Sequence, residues 1–181
     1  MQIVQLLKSY SGGRRDFSGV DFREAWMPGL QLNQAILCGA DLTGSNLSHG
    51  MLQEVDCSRA MLWRANFTHA KLTRSSFQGA TLIRCQLTNS DLRSSSLVDA
   101  DLRLADLSEA NLTHTDVRHA RLCYANLTGA NLQGIDFRTA DLTGAAIAHA
   151  NLSNCRFSRE QIEALGLSPQ RSILADSRMA V

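Results

Sequence analysis

Residues 125–144 read ANLTG ANLQG IDFRT ADLTG, four five-residue units in direct succession. The same register runs far beyond them. From Phe17 to Phe157 every fifth residue is apolar, and the 29 centres comprise 19 Leu, six Phe and single Met27, Cys57, Val117 and Ile147. Two residues before each centre the side chain is small. Between positions 20 and 155, 16 of 28 such residues are Ala, and only Leu30 and Ile135 are large. One residue before the centre, Asp or Asn fills 16 of 29 positions.

A period of five excludes both regular structures. On an α-helix five steps advance about 140°, so the centres would wander around the whole surface. On a flat strand five steps reverse the face, and alternate centres would meet solvent. A chain that bends after every short extended segment keeps all the centres on one axis. The bends are written in the residue two after each centre. Eight of the 12 Gly and all five His fall there, joined by Asn89, Asn154 and Asp99. Gly, Asn, Asp and His are the types enriched at positive φ, which the third residue of a type II turn requires. Arg64, Arg84 and Tyr124 occupy the same slot and suit it poorly, so other turn types are predicted at their corners.

The run of A(D/N)LXX units, as around Leu42 and Leu127, resembles the pentapeptide-repeat family, and the resemblance covers residues 15–159. It implies an all-β fold, a right-handed quadrilateral β-helix with four units to a coil. Twenty-nine units would make about seven coils, a solenoid ~34 Å long. A narrow square interior would also account for a chain with 26 Leu and 21 Ala but only 6% aromatic residues. The opening segment through Phe17 resembles the entry segment of cyanobacterial members.

The ends need covers, because a solenoid exposes backbone and apolar side chains there. Ile3, Leu6, Leu7 and Tyr10 lie at helical spacing before Gly12-Gly13, which predicts a short N-terminal capping helix within residues 1–14. Ser158 and Gln161 have capping-box spacing ahead of Ile162, Leu165 and Gly166, which predicts a C-terminal capping helix over 160–167. Residues 168–181 lack periodicity and read as a flexible tail.

Composition narrows the function. The formal net charge is +1, from 18 Lys+Arg against 17 Asp+Glu, so no bulk field points to nucleic acid. No run of about 18 apolar residues and no secretory leader are apparent, which predicts a cytoplasmic chain without membrane contact. Cys38, Cys57, Cys85, Cys123 and Cys155 are scattered without metal-ligand spacing and read as thiols in a reducing compartment. His49 and His69, twenty apart, stack at one corner, but nothing completes a metal site beside them. No phosphate-binding loop, nucleophile elbow or HExxH occurs. The Asp and Asn residues before the centres read as local partners of turn backbone rather than as acid/base groups. The sequence thus predicts no enzyme, no cofactor and no metal.

Sorting positions modulo 20 sharpens the surface. Asp21, Asp41, Asp101 and Asp141 share one face, and Asp16, Asp56, Asp116 and Asp136 share the next, each accompanied by Arg. On the first face the outward positions of four successive coils hold Met61, Trp63 and Arg64; Ile83 and Arg84; Arg103 and Leu104; Arg121 and Tyr124. Apolar and aromatic side chains interleaved with Arg are the usual make-up of interaction hot spots. These nine residues are the candidate partner-binding site. The expectation is a non-enzymatic scaffold, regulatory in role, that binds an unidentified protein and no nucleic acid directly, as a monomer or weak dimer. The resemblance also implies an alternative, a DNA-mimicking modulator of DNA gyrase or topoisomerase. Mimicry needs a strongly negative rod, whereas residues 16–159 hold 14 acidic and 13 basic residues. The column Ser48, Thr68, Thr88, Ser108 and Thr128 is too narrow for an ice-binding ladder.

Overall fold

From Asp16 to Asp136 every residue one before a centre except Asp116 pairs in parallel with the residue 20 further on: Asp21 with Asp41, Asp41 with Met61, Met61 with Thr81, Thr81 with Asp101. Twenty residues therefore complete one coil, four units per turn of the solenoid. This computed structural model describes residues 2–167 and 173–175.

The backbone donors of one unit can be followed one by one. In the unit around Leu102, Asp101 N–H donates to Ala80 O in the preceding coil at 3.0 Å. Leu102 N–H and Leu104 N–H donate to Arg121 O and Cys123 O in the following coil, at 2.8 and 3.1 Å. Ala105 N–H closes the turn onto Leu102 O at 3.0 Å. The remaining donor, Arg103 N–H, is taken by Asp101 Oδ1 at 3.3 Å. All 16 Asp and Asn in that slot accept the N–H two residues later in this way. Their recurrence is thus a requirement of the turn.

Every corner residue from 19 to 154 except Thr139 has positive φ. The prediction of other turn types at Arg64, Arg84 and Tyr124 is corrected: their φ values are 57°, 58° and 58°. Each donates its N–H to the next coil, to Ile83 O, Arg103 O and Thr143 O respectively. That ladder bond overrides the local reluctance of bulky residues to enter the left-handed region, which costs about 1–2 kcal/mol per residue. Thr139 is β-branched, where the penalty is steepest, and there its own Oγ1 accepts the N–H of His119 at 3.2 Å.

Centres and their small partners fill the interior, nearly all of them fully buried. The width fits this choice of residues. Phe67 and Phe77, two corners apart in one coil, meet edge to face across it at 6.1 Å, and Phe137 stacks on Phe157 one coil later at 5.2 Å. Most small polar residues inside turn back on backbone oxygen, as Ser75 Oγ donates to Leu52 O and Thr115 Oγ1 to Leu92 O, whereas the buried Ser95 Oγ finds no partner among the described residues.

Helix α1 (Ile3–Ser11) covers the first coil, with Leu6 fully buried and Tyr10 Oη donating to Asn33 O at 2.9 Å. Leu7, expected on its inner face, is 43% exposed; adjacent residues point about 100° apart around a helix, so the side that buries Leu6 turns Leu7 outward. At the other end β1 (Cys155–Phe157) leads into α2 (Arg159–Ala164), whose N-cap Ser158 and Gln161 form a reciprocal capping box. Gln161 Nε2 also donates to Phe137 O and Ala140 O, both at 2.8 Å, and so ties the helix to the open edge. Most of the segment read as a loose tail lies outside the described residues. The part that is described, β2 (Ile173–Ala175), pairs in parallel with β1, Cys155 opposite Ile173.

Candidate interaction face

Three columns of outward side chains build the face. The slot before the centre contributes Met61, Thr81, Asp101 and Arg121. The slot after it contributes Trp63, Ile83, Arg103 and Cys123, and the corner contributes Arg64, Arg84, Leu104 and Tyr124. The 20-residue rung brings all nine expected residues to one face and its corner.

Met61, Trp63, Leu104 and Tyr124 are 48%, 42%, 48% and 64% exposed, unusually open for large apolar groups. Ile83 is half-buried beneath its neighbours. The Arg64 guanidinium lies 5.3 Å from the Trp63 ring centroid, a cation–π contact. Arg64, Arg84, Leu104 and Gln86 line one shallow depression. Tyr124 leans onto the next coil, where a methyl group on Gly144 would meet its ring at 2.5 Å; the glycine makes room for the tyrosine.

The arginines divide into two kinds. Arg103 Nη2 holds Asp101 Oδ2 at 2.8 Å, and Arg121 Nη1 approaches the same oxygen at 3.3 Å. At Asp101 burial pushes the carboxyl pKa upward, but the hydrogen bonds from Arg103 and the charges of Arg103 and Arg121 outweigh it, and the net shift is downward. These two cations therefore share a carboxylate within the face. Arg64 and Arg84 have no carboxylate partner among the described residues.

Two features escaped the sequence reading. Gln86 reaches the depression from across the corner, which only the bend reveals. Trp26, 72% exposed, stands beside α1 at the far end of the rod. Its signal was present, since it takes a slot that Asp and Asn otherwise dominate.

Elsewhere the chemistry is quiet. His49 and His69 stack at 5.0 Å with 16° between their planes, and among the described residues no group of three or more His, Cys, Asp or Glu could hold a metal ion. Burial pushes the thiols of Cys57 and Cys85 far up, and that of Cys155 to about 11, which leaves them unreactive. Among the described residues no helix is long and apolar enough to cross a membrane.

The sequence matches the family of pentapeptide repeats, in eight copies, over residues 16–49, 52–89, 85–122 and 124–159. Among solved structures it is similar to HetL, a pentapeptide repeat protein involved in heterocyst differentiation regulation from the cyanobacterium Nostoc sp. strain PCC 7120. The identity is 27% over 86% of this chain and 96% of that one, with a TM-score of 0.31. It is also similar to the pentapeptide repeat protein Rfr23 of the cyanobacterium Cyanothece 51142, at 18% identity over 97% and 100% of the two chains, TM-score 0.38. Trypsin-treated QnrB1, a plasmid-mediated fluoroquinolone resistance protein, is similar at 21% identity over 91% of each chain, TM-score 0.37. No curated protein matches significantly.

Proposed function

The chain belongs to the pentapeptide-repeat family, and we propose that it serves as a non-enzymatic cytoplasmic scaffold with a regulatory role, binding a partner protein through the Met61–Tyr124 face. In this reading it is a right-handed quadrilateral β-helix of about seven coils, monomeric or weakly dimeric. The observation that carries the function is the clustering of Met61, Trp63, Leu104 and Tyr124, all well exposed, beside two arginines without carboxylate partners. An apolar patch rimmed by charge is the usual mark of a contact surface. The polar arrays that resemble catalytic groups are already used by the fold, the Asp and Asn residues in their turns.

The alternative, DNA mimicry toward a topoisomerase, draws less support. Asp21, Asp91, Asp101, Asp116 and Asp136 each hold an Arg guanidinium at 2.7–2.8 Å, so these five carboxylates do not present a free negative surface. Affinity capture from the native cell tests the proposal. The double variant Trp63→Ala, Arg84→Glu should lose the captured protein while melting like the wild type, because both side chains are exposed. Undiminished capture would refute the assignment, and a DNA gyrase supercoiling assay separates off the mimic.

A further inference from the structure

We infer that the partner meets this face with an acidic amphipathic helix, its carboxylates on Arg64 and Arg84 and its apolar side chains against Trp63 and Leu104; the inference rests on the interaction reading above. The argument begins from charge. Arg74 occupies the same kind of corner slot as Arg64 and Arg84, and it finds Glu54 one coil earlier at its own corner. Arg64 instead has Gly44 on one side, over which the Glu24 carboxylate lies without forming an ion pair with Arg64, and Arg84 on the other, and Arg84 has Arg64 and Leu104. Two like charges are thus stacked at the coil spacing of about 4.8 Å, where they repel. Carboxylates from outside would remove that repulsion, and a guanidinium receives a carboxylate through two parallel N–H bonds.

Spacing selects the shape of the partner. From Trp63 to Cys123 the column advances three coils, about 14 Å. A helix laid along the axis brings its side chains back to one face about every 5.4 Å, close to the coil repeat, so about ten residues span the face. An extended strand presents same-face residues about every 6.8 Å and falls out of step within two coils. Trp63 and Leu104 lie two coils apart, about 9.6 Å, and match apolar residues about seven apart on such a helix. Nucleic acid would offer phosphates to the same arginines, but binding it usually engages several cations. Here Arg103 and Arg121 are already held by Asp101, and the exposed apolar groups would stay uncovered.

Selection from a displayed library of random 15-residue peptides on the full chain tests this. The wild type should enrich peptides with Asp or Glu three or four residues apart, interspersed with Leu or Phe. The strongest clone should bind the Arg64→Glu, Arg84→Glu variant at least tenfold more weakly, and that variant should enrich Lys and Arg instead. Glu occupies the same slot at Glu24, Glu54 and Glu109 with positive φ, so the variant is expected to fold, and an unchanged melt checks it. A neutral or basic consensus, no enrichment, or a clone indifferent to the reversal would overturn the acidic helix. If that clone still loses binding on Trp63→Ala, the interaction face survives; if it is indifferent to both changes, the face falls as well. A 20-base-pair duplex retained by the wild type but not by the variant, without peptide enrichment, would also overturn it in favour of nucleic acid.

Discussion

Leu92 and Leu152 occupy the same slot on the same face, three coils apart. Leu92 is fully buried, with its N–H on Asn111 O of the following coil at 2.8 Å. Leu152 is half-buried, because no further coil of the rod lies over it. The two leucines differ in neighbours alone. In a solenoid a coil's stability comes from the coils on either side, so identical local sequence acquires different energetics with position.

The strongest way to break this comparison is a charge in each slot. Leu92→Asp should cost at least about 4 kcal/mol, since the carboxylate finds no partner inside, whereas Leu152→Asp should cost about 1 kcal/mol. Urea unfolding of both variants checks it, and equal losses would show that the last coil is as sealed as the middle.

Acid probes the same contrast. Asp91 is lowered chiefly by the hydrogen bond from Arg93, while at Asp101 and Asp106 burial acts upward but hydrogen bonds prevail, and all three pKa values lie below the ordinary range. A depressed folded pKa contributes stability that is complete above the unfolded value, about 3.9, and is lost as pH falls through the folded value. Of the corresponding slots of the last coil Asp141 alone titrates, also lowered, chiefly by its hydrogen bond from Cys123, whereas Ala146 and Asn151 do not. Hydrogen exchange between pH 4 and 2 (approximate bounds from the reference carboxylate values) should therefore show the middle losing protection relative to the end. A uniform decline would argue that the carboxylates do not set the acid response.

Gln161→Ala removes the side-chain half of the capping box, the bond from Ser158 N–H to Gln161 Oε1, and the two bonds to Phe137 O and Ala140 O. It should cost about 1–2 kcal/mol, visible as early exchange in residues 137–157 with the middle unaffected. Global loss of protection would mean that the ends and middle unfold as one unit. The smallest effect is expected at a mid-rod corner. Ser94 has φ 56°, and Ser94→Gly relieves about 1 kcal/mol of left-handed strain against a similar gain in unfolded-state freedom. A net stabilisation within about 0.5 kcal/mol is expected from the melting midpoint, and a clear destabilisation would show that the ladder holds the corner without strain.

The site was partly legible before any coordinates. Position modulo 20 places Trp63, Arg84, Leu104 and Tyr124 on one side, because the rung length converts sequence spacing directly into distance. It does not show that Asp101 gathers both Arg103 and Arg121, which depends on side-chain reach between coils. Nor does it reveal Gln86, which comes from the adjoining side.

What the amino-acid sequence by itself determined is everything that repeats: the interior of Leu and Ala, the Asp and Asn bonds within each turn, the helix caps at Ser158 and Gly12. These depend on contacts within a few residues, and the period repeats the apolar centre 29 times and the Asp or Asn before it 16 times. Only the tertiary structure decided that Arg64, Arg84 and Tyr124 adopt positive φ, that Leu7 faces outward and that Ile173–Ala175 pair with β1. In each case the deciding bond or contact comes from a distant part of the chain, and its strength exceeds the local preference it overrides.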